Sequence, residues 1–399
     1  MTETWTLAAL WLGLALAAGL ASIWLRVATA LSEIVVGIVA GAVIGTAAMG
    51  VGQDWIKFLA GAGAIILTFL AGAELDPEVF RRKWKEATAV GVVSFLAPFI
   101  GCAAAARWLL GWDPAASWLA GVAMSTTSVA VVYAVMMEFG FNTTDYGKTV
   151  LAACFITDLG TVVALGLLFA PFTLKTLLFV GALVAIALAV PWLTPRFFRR
   201  YGARASELEA KYLLVFLFGL GALASWADSE AVLPAYVLGM MLAGTVGRDH
   251  ALVRRLRTLC FGLLTPFYFI RAGSFVSMPA LIAAPAAFVL LLVVKVLTKI
   301  AGVFPVTRAF RSPRKEGMYT TLLMSTGLTF GTISSLFGLS HNIVDQAQYS
   351  ALVAAVIVSA VIPTLIANAW FLPRHHLPAQ EQASGTHSPV AAPVRSKGK

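Results

Sequence analysis

KTVLAACFITDLGTVVALGLLFAPF, residues 148–172, decides the reading of this chain, because one ionisable side chain, Asp158, stands near the middle of an otherwise apolar run long enough to cross a membrane. An acid at the centre of a membrane helix costs about 2.5–3.5 kcal/mol on insertion scales, so such residues are rare and mark ion or proton paths. The bland alternative is an acid neutralised by a structural partner on another helix.

The rest of the composition agrees with a membrane setting. Of 399 residues, 59% are hydrophobic and 12% charged, roughly half the charged share of a soluble domain. The chain reads as an all-α polytopic membrane protein embedded in the lipid bilayer. The first apolar run, Trp5 to Leu25, is long enough to span and has no basic residue ahead of it, so it is expected to be a span and not a cleaved signal. Cys102, Cys154 and Cys260 lie singly in apolar segments, which fits neither a disulfide framework nor a zinc site, and no cofactor is expected. Apolar runs predict thirteen transmembrane helices, near 5–25, 31–49, 56–75, 87–108, 115–137, 148–170, 174–195, 208–226, 230–246, 258–277, 280–304, 317–337 and 347–371. Residues 374–399, rich in Pro, Ala and Ser, are expected to form a disordered cytoplasmic tail behind a membrane transporter domain of residues 1–373.

The net charge of +10 carries orientation, not nucleic-acid binding. All but six of the 29 basic residues fall in alternate connections and the tail. Lys57, Arg107 and Lys175 lie on the other face, and Arg271, Lys295 and Lys299 lie inside spans. The positive-inside rule then puts the N-terminus outside and the C-terminus in the cytoplasm of a plasma (cell inner) membrane, as an odd number of spans requires.

Span 5 contains AMSTTSVAV, with Ser125 and Thr126 mid-membrane, and span 12 contains LMSTGLTFG, with Ser325 and Thr326. The two motifs recur at an offset of 200 residues. Phe69, Ala71 and Gly72 of span 3 find echoes in Phe269, Ala272 and Gly273 of span 10. Spans 1–6 therefore correspond to spans 8–13, with span 7 as connector, in two inverted-topology repeats. In transporters built this way, paired interrupted helices mark the midplane site. The plainer alternative is an ordinary helix whose Ser and Thr bond back to the preceding turn. Among the other charges, Glu33 reads as a helix-start acid that caps span 2. Arg271 needs a carboxylate or several carbonyls, with Asp158 and Glu74 as candidate partners. Lys295 and Lys299 share one helix face.

The stretches FLAGAELDPEVFRRKWKEA, AMSTTSVAVVYAVMMEFGFNTTDYGKTVLAACFITDLGTV, PFYFIRAGSFVSMPAL and LLMSTGLTFGTISSLFGL resemble the monovalent cation:proton antiporter superfamily. The likeness is to its second branch, with KefC-like potassium efflux systems and NapA-like sodium/proton antiporters. The resemblance implies a NhaA/NapA-like fold with crossing interrupted helices and a homodimer. It also implies a scaffold of spans 1–3 and 8–10 and an ion-translocating core of spans 4–6 and 11–13. Electrogenic members carry two adjacent acids at the site; here the pair is Thr157-Asp158. Carried across, Asp158 becomes the cation and proton ligand and Thr157 a neutral oxygen ligand. Lys299 looks like the family's core lysine, with Lys295 the other candidate for that place.

The expected function is exchange of Na⁺ or K⁺ for H⁺, electroneutral because one carboxylate holds one charge. Ser125, Thr126, Ser325 and Thr326 would contribute oxygens, and Lys299, Lys295, Arg271 and Glu74 would compensate charge. The alternative is a cation channel or potassium efflux pathway through the same polar core. No filter of the TVGYG kind is present, and the chain lacks the HExxH and GxSxG of a membrane-embedded enzyme.

Overall fold

The computed structural model describes residues 2–25, 29–73, 77–141, 144–169, 173–202, 206–227, 229, 231–247, 249–283 and 285–376. Glu74, Arg26 and residues 377–399 of the expected tail lie outside the described residues. In chain order the helices are α1 (Thr2–Leu25), α2 (Thr29–Val43), α3 (Asp54–Ala73), α4 (Pro77–Trp108), α5 (Pro114–Ser125) and α6 (Val129–Glu138). They continue with α7 (Asp145–Phe169), α8 (Leu174–Tyr201), α9 (Leu208–Trp226), α10 (Val232–Leu242), α11 (His250–Leu259) and α12 (Thr265–Ser274). The last five are α13 (Met278–Ala283), α14 (Pro285–Ala309), α15 (Arg314–Met324), α16 (Thr329–Ser340) and α17 (Gln346–Ile366).

Nine helical segments among the described residues are long and apolar enough to cross a membrane. The remaining four of the thirteen expected spans are short or broken: α2, the α5–α6 pair, α10, and α11–α12 with a π-helical turn at Cys260–Leu264 between them. Local signals set several ends. Asp113 accepts a hydrogen bond from the Ala116 amide ahead of Pro114 at the start of α5, and Asp345 and Gln348 form a capping box on α17. Pro77, a turn signal in sequence, is the first residue of α4, a place where its missing N–H costs nothing. Glu33 departs from expectation: it is in the second turn of α2 and buried, so it does not cap the helix.

The inverted repeat is written into the helix crossings. Where α2 crosses α12, Gly37 meets the Ile270 carbonyl and Gly273 meets the Ile34 carbonyl. Where α3 crosses α10, Gly239 meets the Phe69 carbonyl and Gly72 the Tyr236 carbonyl. An offset of 201 to 202 residues interchanges the two sets, matching Phe69 with Ile270, Gly72 with Gly273, Ile34 with Tyr236 and Gly37 with Gly239. Only a residue without a Cβ lets backbones come this close, the usual means of helix association where lipid removes the hydrophobic drive. α1 joins this group, its Trp11 stacking on Phe267 with ring centroids 5.2 Å apart and donating to the Met49 carbonyl. In the other half of the packing, α4 lies against α5, α7 and α14, and α16 against α5 and α17. α7 touches α10, so Asp158 lies on a helix that contacts both groups.

Gly37→Ala and Gly239→Ala should each destabilise the fold by about 1–3 kcal/mol through overpacking. Gly219→Ala in α9, whose Cβ would meet nothing within 4 Å, should leave it unchanged or slightly firmer. Thermal unfolding in detergent micelles checks this, and equal behaviour of all three variants would contradict the crossing geometry.

Candidate functional site

The two hydroxyl motifs stand where two helices break. α5 ends at Ser125 and α6 begins at Val129, with Thr126 already extended (φ −61°, ψ 152°). α15 ends at Met324 and α16 begins at Thr329. The free segments bind each other: Thr127 Oγ1 donates to the Met324 carbonyl at 2.8 Å, and the Ser128 amide donates to the Thr326 carbonyl at 3.2 Å. The motifs therefore mark breaks and not ordinary helices, although their hydroxyls still bond back to the preceding turn. The backbone is unwound, and Ser125, Thr126, Ser325 and Thr326 still give their hydroxyl protons to Val122, Ala123, Thr321 and Leu323 carbonyls at 2.7–3.1 Å. Their oxygens keep lone pairs, and all four side chains are buried.

Two half-helices end here in carbonyls and two begin in amides, so the crossing gathers partial charges of both signs. Lys299, fully buried on α14, answers the carbonyl ends. Its ammonium donates to Ser94 Oγ at 2.8 Å, to the Ser125 carbonyl at 3.0 Å and to Thr127 Oγ1 at 3.0 Å, which uses all three of its N–H groups. Lys295, one turn earlier, reaches the other break. It donates to Ser359 Oγ at 3.1 Å, and a Cβ on Gly327 would collide with its Nζ. The choice left open in the sequence is thus divided, Lys299 on the first break and Lys295 on the second.

Asp158 is 1% exposed, and its Oδ1 has no hydrogen-bond partner. It belongs to none of the ion pairs among the described residues, although Lys299 is near enough for its charge to act on the carboxyl. Thr157, its neighbour, bonds back along α7, Oγ1 donating to the Ala153 carbonyl at 3.1 Å, and lies 3.3 Å from the Gly91 carbonyl of α4. Arg271 is elsewhere. Its Nε donates to the Val51 carbonyl at 3.2 Å and its guanidinium lies 5.1 Å from the Phe275 ring centroid, so a carbonyl and an aromatic face hold it, and not Asp158.

Two cavities with no lining residue in common lie near this centre. One, of about 400 Å³, is lined by Lys148, His250, Arg254 and Arg257 and reaches Ala152 and Phe155, one helical turn from Asp158. The other, of about 530 Å³, holds Lys57, Tyr268 and Arg271 and is closed on the α16 side by Phe337 and Ser340. Ser94, Ser359 and Tyr236, whose hydroxyl donates to the Phe155 carbonyl at 2.9 Å, were not singled out by sequence. Thr127 had a signal, its place inside the STTS cluster, whereas Ser94 and Ser359 are lone hydroxyls in apolar helices.

Known proteins resemble the whole of this arrangement. The family described as "Sodium/hydrogen exchanger, transmembrane" matches residues 12–371. The probable Na(+)/H(+) antiporter 3 of Methanocaldococcus jannaschii is 24% identical over 350 residues, covering 84% of this chain and 89% of that one. The glutathione-regulated potassium-efflux system protein KefC of Escherichia coli (strain K12) is 27% identical over 350 residues; the match covers 82% of this chain and 55% of KefC, so the chain spans about half the length of that relative. The solved sodium proton antiporter MjNhaP1 from M. jannaschii at pH 8 superposes with a TM-score of 0.70 at 14% identity, over 92% of this chain and 96% of that one, a likeness of fold. The match along nearly the whole membrane part, on helices that break and cross where the repeated hydroxyl motifs predict, makes this chain a member of the sodium/hydrogen exchanger family.

Proposed function

We infer that the chain is a secondary active antiporter that exchanges a monovalent cation, Na⁺ or K⁺, for protons, with both competing for Asp158. One observation carries this reading: a buried carboxylate without a fixed cation partner, beside a lysine whose three donors are already taken. An uncompensated carboxylate is costly inside the membrane. What neutralises it is then a proton or a metal ion from solution, one at a time. Hard monovalent cations take oxygen ligands. Asp158, the hydroxyl oxygens of Thr126, Thr127, Thr326 and Thr157, and the unwound carbonyls supply them. Lys299 compensates the half-helix ends, Lys295 steadies the second break, and Arg271 buttresses the scaffold.

In this account α1–α3 and α9–α12 form the scaffold, held in a homodimer, and α4–α7 with α14–α17 form the core that moves against it, with α8 as linker. The N-terminus is outside and the basic connections face the cytoplasm of the plasma membrane. A continuous channel has less support. Neither cavity runs through Asp158, and the crossing segments bond to one another across the path.

Three outcomes test the proposal. Asp158→Asn should abolish cation-driven dequenching of a pH dye in proteoliposomes while the protein stays folded; wild-type rates would contradict the assignment. With a single carboxylate, loading by either ion leaves the same net charge, so an imposed potential, worth about 2.3 kcal/mol per charge per 100 mV, should not shift the exchange equilibrium. A voltage-dependent equilibrium would point to a lysine as a second proton carrier. Arg254→Glu in the basic vestibule should lower the apparent cation KM on that face severalfold at low salt. The effect should fade towards 1 M salt, where the Debye length is about 3 Å. An effect indifferent to salt would count against electrostatic control of access.

A further inference from the structure

Away from Asp158, a second buried carboxyl has no use in the exchange cycle. Glu33 on α2 is 3% exposed, and it belongs to none of the ion pairs among the described residues. It opens on a cavity of about 470 Å³ between α1, α2 and the π turn that precedes α12, on the outer side of the scaffold. Ser22 and Thr29 line the same cavity, their hydroxyl oxygens 3.3 Å apart, and Thr29 is one turn from Glu33 on the same helix face. Ser22 gives its proton to the Gly19 carbonyl at 2.8 Å, which leaves its oxygen as an acceptor.

The third wall adds another acceptor for a reason that lies in the sequence. Within the π turn the Thr265 amide donates to the Cys260 carbonyl. The next amide in that register would come from residue 266, which is proline and has no N–H to give to the Phe261 carbonyl. Phe261, Gly262 and Pro266 all line the cavity. Among the described residues its lining contains a carboxylate, two hydroxyls and bulged backbone, and no Lys, Arg or His.

A cavity whose described lining offers oxygen acceptors and no basic side chain, beside a buried carboxyl, is built for a positive guest. We propose that the Glu33 cavity is a second cation site, in the scaffold, which takes either a monovalent metal ion or the primary ammonium of a lipid headgroup. Both sources present the same chemistry, a single positive charge seeking several oxygens. The position favours contact with the membrane surface: Ser22 and Thr29 flank the α1–α2 connection, so the cavity lies near the end of both helices. Occupancy would tie α1 to α2 and to α12, the helices that anchor the scaffold.

The test uses the full chain carrying Asp158→Asn, so that the exchange site does not contribute. In phosphatidylcholine nanodiscs, Na⁺, K⁺ and Rb⁺ are titrated against N-methylglucamine at constant ionic strength while thermal unfolding is followed. In a second arm the discs contain phosphatidylethanolamine and only N-methylglucamine chloride. A saturable stabilisation is expected in at least one arm, and the arm that responds names the source. Adding Glu33→Gln should remove that response or shift its midpoint at least tenfold. Ser22→Ala with Thr29→Val, which keeps the carboxyl, should weaken it severalfold and serves if the Gln variant does not fold. A response in neither arm, or one untouched by both sets of substitutions, overturns the proposal. So does Arg26→Ala destabilising the protein as Glu33→Gln does without any cation or lipid dependence, because Glu33 would then answer to a partner within the chain.

Discussion

The Lys299 ammonium, held by the Ser125 carbonyl, Thr127 Oγ1 and Ser94 Oγ, is the contact on which the centre of this protein depends. Inside a bilayer every backbone polar group must find a partner within the protein, so a helix that stops halfway is tolerated only where something takes its free ends. Two helices stop here. Their unwound segments satisfy part of the need by bonding to each other, through Thr127 to Met324 and Ser128 to Thr326. The carbonyl end of α5 is left for a positive charge, and Lys299 supplies it. Because that ammonium is spent on backbone and hydroxyls, it does not close an ion pair with Asp158, and in the proposed cycle this is what leaves the carboxyl open to ions.

The same constraint explains the contrast between the two packed groups. Around α2, α3, α10 and α12, glycines bring backbones together and the pieces interlock under one repeat offset. Around the broken helices the contacts are hydroxyls, carbonyls and two lysines, polar pairings that can be exchanged for others of similar strength. In the proposed cycle the first group serves as scaffold and the second as moving core, the arrangement that alternating access about a fixed site demands.

Much of this was legible in the sequence. Asp158 stood out because the interior of its span holds no other charge, and the MST repeat located both breaks to within a residue or two. The repeat of Phe69, Ala71 and Gly72 was visible as a faint echo, and its meaning emerged only when the glycines were seen facing carbonyls on the partner helix. What sequence could not give was direction. Arg271 read as needing a carboxylate or carbonyls, and its side chain turns to the Val51 carbonyl and the Phe275 ring and not to Asp158. Glu33 read as a cap, yet it lies one turn too deep and faces a cavity. Lys295 and Lys299, four residues apart on one face, differ in which break they reach, and that follows from three-dimensional crossing, not from spacing. Ser94 and Ser359 carry no signal in a line of apolar residues, because a lone serine in a membrane helix usually bonds its own preceding turn.

The central claim is that a proton and a cation compete for one carboxylate, and the pH dependence of cation affinity tests it most directly. In proteoliposomes, the apparent KM for the transported cation is measured across a series of pH values at constant ionic strength. Competition at Asp158 predicts that KM rises towards tenfold for each pH unit on the acid side while the maximal rate stays constant, by mass action. A KM that holds steady while the maximal rate falls would contradict the account, because proton and cation would then be binding at separate places.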